Sequence, residues 1–150
     1  MAAIVYDTTV TKTLKDVSFD SLPLSVLKEL FEDGRIFSHF MERIIARDYD
    51  LTHVSGCKGH DLVDSSDSEI KYEQKSFTKN GCNLTPSNMI GVGRHFDSEV
   101  FHEKAKKLIY VVCSNVHFPE IKIRFIKGVD VIALYPKGKI TLKGHDAFFG

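Results

Sequence analysis

The chain contains 150 residues, of which 43% are hydrophobic, and its 20 Lys and Arg residues balance its 20 Asp and Glu residues. This length and composition are typical of one globular domain with a substantial core, which we expect to span residues 1–150. A net charge of zero argues against a protein that binds nucleic acid only through non-specific phosphate contacts.

No apolar stretch approaches the roughly 20 residues that a membrane span needs. The N-terminal segment lacks the basic start and apolar core of a signal peptide. Cys57, Cys82 and Cys113 are odd in number and irregularly spaced, which indicates free thiols in a reducing compartment. We therefore expect an intracellular, cytoplasmic protein.

The charge is distributed unevenly along the chain. Residues 1–70 carry 7 basic and 13 acidic residues, whereas residues 71–150 carry 13 basic and 7 acidic residues. The two parts thus have net charges of −6 and +6. This asymmetry permits a basic DNA-binding face on a protein that is neutral overall.

The first third of the chain predicts two helices after a short strand or extended arm at residues 3–10. The first helix has Ser21 as its N-cap, Pro23 in its first turn, and runs to about Glu32. The second helix spans about 35–48 and has an apolar stripe at helical spacing. Glu42 lies opposite that stripe, so exposure to solvent is the favoured interpretation of its position.

The stretch from Gly59 to Ser76 predicts a β-hairpin. Its arms are 60–64 and 69–77, and a polar turn at 65–68 joins them. Side chains on a strand alternate between two faces, which places on one face Glu69, Lys71, Glu73, Lys75 and Phe77. Asp61 arrives from the adjoining arm, so two carboxylates and one ammonium group converge in a way that suits a magnesium site. The alternative is a solvated face with weak cross-strand ion pairs.

The hairpin is followed by a polar loop at residues 78–96. An Asn-Gly turn opens it, a short helical turn beginning at Ser87 is expected near its end, and glycines at 91 and 93 flank Val92 without forming a dinucleotide-binding motif. As a DNA-contacting segment, the loop offers candidates for base edges and phosphates; these are Lys79, Asn80, Asn83, Ser87, Asn88 and Arg94. The alternative is a plain surface loop.

The remaining sequence predicts one helix and three strands. The helix spans 97–107 with Asp97 or Ser98 as its cap, and the strands span 108–113, 121–126 and 129–134. The order of elements fits an α/β fold in which a mixed β-sheet is flanked by helices. Neither a zinc site around Cys57, His60 and Cys82 nor a Ser/His/Asp arrangement is supported by the spacing.

Asp61 followed by Glu73-Gln74-Lys75 resembles the signature of the PD-(D/E)xK nuclease superfamily. The similarity is greatest to small type II restriction endonucleases, which carry a Gly-x-Asp-x-Val-Asp run before a Tyr-Glu-x-Lys-Ser strand; this chain reads GHDLVD and YEQKS. Two positions depart from the pattern. His60 replaces the proline, and Lys58 stands where these enzymes often carry an additional acid, which puts a second metal site in doubt.

The resemblance implies a restriction-endonuclease-like core and magnesium-dependent hydrolysis of double-stranded DNA at a specific sequence. Asp61, Glu73 and the carbonyl of Gln74 would bind Mg²⁺, with Glu42 on the preceding helix as a further candidate ligand. Lys75 would position or deprotonate the attacking water. A double-strand cut requires two such sites, so a homodimer is expected.

Other functions remain open within and beyond this chemistry. Alternatives of the same fold are a homing or phage endonuclease, a Holliday-junction resolvase and an RNA-processing nuclease. A different class of function is a non-catalytic module that binds DNA or another subunit.

Overall fold

The computed structural model describes residues 2–55, 60–90 and 92–150. Its strands are β1 (Thr9–Thr13), β2 (Leu51–His53), β3 (Leu62–Asp64), β4 (Lys71–Phe77), β5 (Cys82–Asn83), β6 (Ile109–His117), β7 (Glu120–Lys127) and β8 (Lys139–Ile140). Its helices are α1 (Leu24–Glu32), α2 (Gly34–Tyr49), α3 (Ser98–Ala105), α4 (Gly128–Leu134) and α5 (His145–Phe149). Short 3-10 helices lie at Ser87–Met89 and Leu142–Gly144.

The centre of the fold is a six-stranded mixed sheet in the order β1-β7-β6-β4-β3-β2. The β4–β6 pair is parallel, and the other four adjacent pairs are antiparallel. Parallel neighbours need a crossover connection, and here the chain between β4 and β6 carries β5, a 3-10 turn and α3. Strands β5 and β8 form a separate two-stranded antiparallel sheet.

The predicted hairpin is confirmed. Strands β3 and β4 pair antiparallel, with Leu62 opposite Tyr72 and Val63 opposite Lys71. The turn is held by the Asp64 carboxylate, which accepts hydrogen bonds from the backbone N–H groups of Ser66 at 2.9 Å and Asp67 at 3.1 Å. The predicted stretch begins at Gly59, which lies outside the described residues together with Gly56, Cys57, Lys58 and Gly91.

The two faces of the sheet bury two separate cores, and helices cover both, as predicted. Alternate residues of β6 divide between the cores because side chains alternate across a strand. Val111 and Cys113 join α1 and α2 on one face. Tyr110 and Val112 join α3 and α5 on the other face. Cys82 and Cys113 are buried free thiols, in agreement with the sequence interpretation.

The helix starts follow local capping chemistry in two cases. Asp33 accepts hydrogen bonds from Arg35 N and Ile36 N at the start of α2, and Asp97 accepts one from Val100 N at the start of α3, as predicted. The prediction for α1 was wrong in its cap. Ser21 has a left-handed backbone with φ of 56°, and the helix instead begins directly after the extended Pro23.

Two predicted strands differ from the structure. The N-terminal strand is β1 at Thr9–Thr13 and not 3–10. The apolar run 129–134 forms the helix α4, because a short apolar segment does not by itself distinguish a buried strand from a helix. Its position against α3 requires glycine at 128, where any Cβ would overlap the carbonyl oxygen of Ala105.

Within the part of the chain that the structure describes, no helix has the length and apolar character needed to cross a membrane.

Candidate active site

Strand β4 presents Glu73 and Lys75 on the same face of the sheet, as its period-two pattern predicts. Their side chains are 19% and 12% exposed, and the Lys75 Nζ lies 3.7 Å from Glu73 Oε1. That distance describes an ion pair and is too long for a hydrogen bond. The same face continues into the buried core at Phe77. The solvated-face alternative is therefore wrong for these two residues.

Asp61 reaches this site from the start of the hairpin. Its backbone N–H donates to Tyr72 O at 2.9 Å, and its carboxylate oxygen Oδ2 accepts a hydrogen bond from Gln74 N at 2.9 Å. Strand β3 begins one residue later, so the Asp61 side chain takes the place that a further strand residue would occupy beside Gln74. The carboxylate is thereby fixed at the edge of β4.

The backbone of Gln74 points towards the same edge. Within a strand, the N–H and C=O of one residue point to the same side. Because the Gln74 N–H points to Asp61, its carbonyl also lies on the Asp61 side of β4. The Gln74 side chain is buried on the opposite face of the sheet, where its Nε2 donates to Ser76 Oγ at 3.3 Å. Only the backbone of Gln74 is thus available to the site.

Burial destabilises the ionised forms of Asp61 and Glu73. Burial, chiefly, raises the pKa of Glu73 to about 7; the charges of Asp61 and Glu42 also raise it, whereas Lys75 lowers it. Burial likewise raises the pKa of Asp61, against the lowering effects of the Gln74 N–H and the charges of Lys75, His53 and His60. One lysine therefore does not compensate for the buried negative charge.

Glu42 lies at the rim of this site and not in open solvent. Its side chain is 12% exposed, and its Oε2 lies 3.0 Å from His53 Nε2. The solvent-facing interpretation was wrong because it considered α2 alone, whereas β2 packs beside that side of the helix and supplies His53. Glu42 is close enough for its charge to raise the pKa of Glu73, and its role as a metal ligand stays a prediction.

The donor set fits a hard divalent cation. Among the described residues, no cluster of three or more His, Cys, Asp or Glu side chains is arranged to hold a metal ion. Two carboxylates and one carbonyl nevertheless match the pattern of Mg²⁺, which keeps several water ligands and also binds substrate phosphates. A cation between Asp61 and Glu73 would offset the negative charge that burial leaves uncompensated.

The segment predicted to contact DNA is more ordered than its composition suggested. The Asn-Gly turn is confirmed, with mutual backbone hydrogen bonds between Thr78 and Gly81, and the 3-10 turn begins at Ser87 as predicted. Five of the six candidate residues are exposed; these are Lys79, Asn80, Ser87, Asn88 and Arg94.

Some of these candidates already have partners within the chain. Lys79 forms a 2.8 Å ion pair with Glu32, and Arg94 Nη1 donates to Ser87 O at 2.8 Å. Asn83 is half-buried, and its Oδ1 accepts hydrogen bonds from Thr85 N at 3.0 Å and Thr85 Oγ1 at 2.6 Å. Base contacts by these residues stay a prediction, and for Asn83 the carbonyl oxygen is already engaged.

Two contacts of the candidate site could not be predicted from the sequence. The Thr85 carbonyl accepts a 2.8 Å hydrogen bond from Lys75 Nζ, and His53 contacts Glu42. No sequence motif marks either Thr85 or His53. Their contacts arise from pairing between distant segments, which single-sequence periodicity does not describe.

A Ser/His/Asp arrangement also occurs, although none was predicted. Ser114 Oγ lies 2.6 Å from His145 Nε2, and His145 Nδ1 lies 3.2 Å from Asp146 Oδ1. Ser114 and His145 are only 2% and 3% exposed, and Ser114 Oγ also accepts a hydrogen bond from Val116 N. The hydrogen bond between Ser114 and His145 thus satisfies two buried polar side chains between β6 and α5.

No protein-family model matches this chain, and a search of curated proteins finds no match either.

The raised pKa of Glu73 predicts a pH-dependent effect of Glu73→Gln in metal-free protein. Between the unfolded value of 4.5 and the folded value of about 7, the folded state retains a proton that the unfolded state has released. Stability therefore falls as pH rises through this window. We expect Glu73→Gln to gain roughly 1–3 kcal/mol relative to the wild type between pH 4.5 and 7.5.

Urea unfolding in EDTA at several pH values measures this difference. Glu103→Gln, on the exposed side of α3, is the matched control and should follow the wild-type profile. Parallel profiles for the wild type and Glu73→Gln would contradict the assignment of a buried, uncompensated charge to Glu73.

Proposed function

We propose that the protein is a magnesium-dependent DNA endonuclease that hydrolyses phosphodiester bonds in double-stranded DNA at a specific sequence. The observation that carries this proposal is the convergence of Asp61, Glu73, the Gln74 backbone and Lys75 at the edge of β4. A solvated strand face would not bury two carboxylates and a lysine together, since burying charged groups is costly without partners or a metal.

The same proposal extends to the fold, which we interpret as a restriction-endonuclease-like core. In support, α2 is followed by three antiparallel strands, β2, β3 and β4, and a crossover then leads into β6 parallel to β4. Glu73, Gln74 and Lys75 lie on the central strand β4, and Asp61 directly precedes its antiparallel neighbour β3. Strands hold side chains more rigidly than loops do, as a catalytic site requires.

In the proposed mechanism, Asp61, Glu73 and the Gln74 carbonyl hold the cation, and Lys75 acts on the reacting phosphate or on the attacking water. Bound Mg²⁺ supplies a Lewis acid that offsets phosphate charge and acidifies water. The oxygen of water attacks phosphorus and gives up one proton to solvent, one P–O bond breaks, and the leaving oxygen takes up a proton from solvent, so the products are a phosphomonoester and a hydroxyl group. The Lys75 ammonium group stabilises the additional negative charge of the pentacovalent transition state.

A basic groove beside this site supports contact with the DNA backbone. Four lysines line a concave groove at the start of β4 and β6 and the end of β7, which we call the lysine groove; they are Lys71, Lys106, Lys107 and Lys127. Lys71 precedes Glu73 by two residues on the same face of β4, a separation of about 7 Å. A phosphate in the groove would therefore lie close to one in the candidate active site.

Most of these lysines are available for a ligand. Lys106 forms an exposed 3.2 Å ion pair with Glu103, and Lys127 lies 5.0 Å from the ring centroid of Tyr6. Within the described ranges, Lys71, Lys107 and Lys127 have no acidic oxygen within 4.0 Å. Glu69 also lines the groove, so four lysines face one carboxylate there, and this excess of positive charge favours the binding of a polyanion.

The proposal also includes a homodimer. One chain carries one candidate site and would cut one strand, so a double-strand cut requires two copies. Two-fold symmetry would match a palindromic target.

Plasmid cleavage by the purified protein tests the function. We expect discrete fragments with Mg²⁺, no cleavage in EDTA, and a loss of activity of at least about 100-fold in Glu73→Ala and in Lys75→Ala. Glu103→Ala and Lys104→Ala, both on the exposed side of α3, are matched controls that should retain full activity. Undiminished cleavage in EDTA or in Lys75→Ala would contradict the mechanism, and DNA binding without cleavage would favour a non-catalytic module.

The lysine groove predicts a change in the salt dependence of duplex binding. Each phosphate contact contributes about −0.9 to the slope of log K against log salt concentration. The triple variant Lys71→Gln, Lys107→Gln, Lys127→Gln should therefore have a slope that is shallower by about 2 to 3. Fluorescence anisotropy with a labelled duplex in EDTA measures the slope without cleavage.

The control for this experiment removes the same charge elsewhere. Lys15→Gln, Lys28→Gln, Lys143→Gln replaces three exposed lysines outside the groove and should leave the slope close to that of the wild type. Equal slopes in the groove variant and the wild type would exclude the groove as the DNA track.

A further inference from the structure

The candidate catalytic lysine is anchored by a neutral carbonyl. Lys75 Nζ donates to Thr85 O at 2.8 Å, whereas its distance to Glu73 Oε1 is 3.7 Å. A lysine side chain has a long flexible stem and a compact charged end with three N–H donors. The Thr85 carbonyl takes one of these donors, which fixes the ammonium group and leaves two N–H groups for Glu73 or a substrate.

Thr85 is in turn held by Asn83. The Oδ1 atom of Asn83 accepts hydrogen bonds from Thr85 N at 3.0 Å and from Thr85 Oγ1 at 2.6 Å. This is the side-chain-to-backbone pattern by which Asn stabilises a turn two residues on. Thr85 is 2% exposed, so its orientation is also restricted by packing.

The C-terminal part of the chain supports this short segment. Asn83 pairs with Lys139 in the β5–β8 sheet, and Leu84 N donates to Gly138 O at 2.6 Å. Gly138 has φ of 69°, and a Cβ there would come within 2.7 Å of the Thr85 methyl carbon. The segment 82–85 is thus held in position by contacts of both its backbone and its side chains.

We propose that Asn83 is a positioning residue for Lys75, acting through the carbonyl of Thr85. This inference rests on the proposed function for its catalytic consequence, and it replaces the expectation that Asn83 reads a base. Without the Asn83 carboxamide, the Thr85 backbone can rotate. The Lys75 ammonium group then loses the carbonyl that accepts its hydrogen bond. The chemical step then slows on every DNA sequence, whereas substrate binding is retained because the Asn83 carboxamide oxygen is directed to Thr85.

The kinetic test compares Asn83→Ala with the wild type on a duplex that contains the cleavage site. We expect kcat to fall about 10-fold to 100-fold with KM unchanged, the scale of loss that misplacement of a catalytic group causes. Asn83→Asp keeps the oxygen acceptor and should recover most of the activity. Glu103→Ala, on the exposed side of α3 and outside the proposed site, is the control and should leave kcat unchanged.

A second measurement is independent of nuclease activity. Competitive labelling of lysines with acetic anhydride, read by mass spectrometry, reports how firmly each ammonium group is held. Lys75 should label several-fold faster in Asn83→Ala than in the wild type or Asn83→Asp, while labelling of Lys79 stays constant. Should Asn83→Ala unfold, Thr85→Val, which removes the Thr85 hydroxyl bond alone, should show a smaller change in the same direction.

The outcomes separate this inference from the proposed function. Unchanged labelling of Lys75 in both variants overturns the positioning role, whether or not the protein cuts DNA. Altered sequence preference with kcat unchanged on the preferred site also overturns it and favours base reading. If the wild type does not cut DNA but Lys75 labelling rises in Asn83→Ala, the link between the two residues holds and the nuclease proposal fails.

Discussion

The hydrogen bond from Gln74 N to the Asp61 carboxylate is the contact on which the candidate site depends. It ends the β3–β4 ladder and substitutes a carboxylate for the next residue of the neighbouring strand. The same bond fixes Asp61 at the edge where the Gln74 carbonyl points. Because Glu73 follows the alternation of β4, a single local feature of the hairpin brings together both carboxylates and the backbone oxygen.

The Lys75 ammonium group is positioned by a different part of the molecule. Lys75 belongs to β4, but its anchor at Thr85 is held by Asn83 and by the β8 segment near the C-terminus. The charged groups are therefore organised by two independent units, a hairpin for the carboxylates and a small two-stranded sheet for the lysine.

Features encoded by local periodicity were predictable from the sequence. The hairpin, helix α2 and the shared face of Glu73 and Lys75 follow from side-chain alternation and helical spacing. Features that depend on contacts between distant segments could not be predicted from the sequence. Glu42 is covered by His53 from β2, the Asn83 carboxamide is turned towards Thr85, and the helix Gly128–Leu134 packs with Gly128 directly against the Ala105 carbonyl.

The proposed site for a hard divalent cation consists of Asp61, Glu73 and the Gln74 carbonyl. The most direct test is a crystal structure of the protein grown with Mn²⁺, which prefers the same oxygen ligands as Mg²⁺ and scatters anomalously. We predict one anomalous peak coordinated by all three groups at about 2.1 Å, and its loss in Asp61→Asn. An empty site in the wild type, or a peak bonded to other residues, would contradict it.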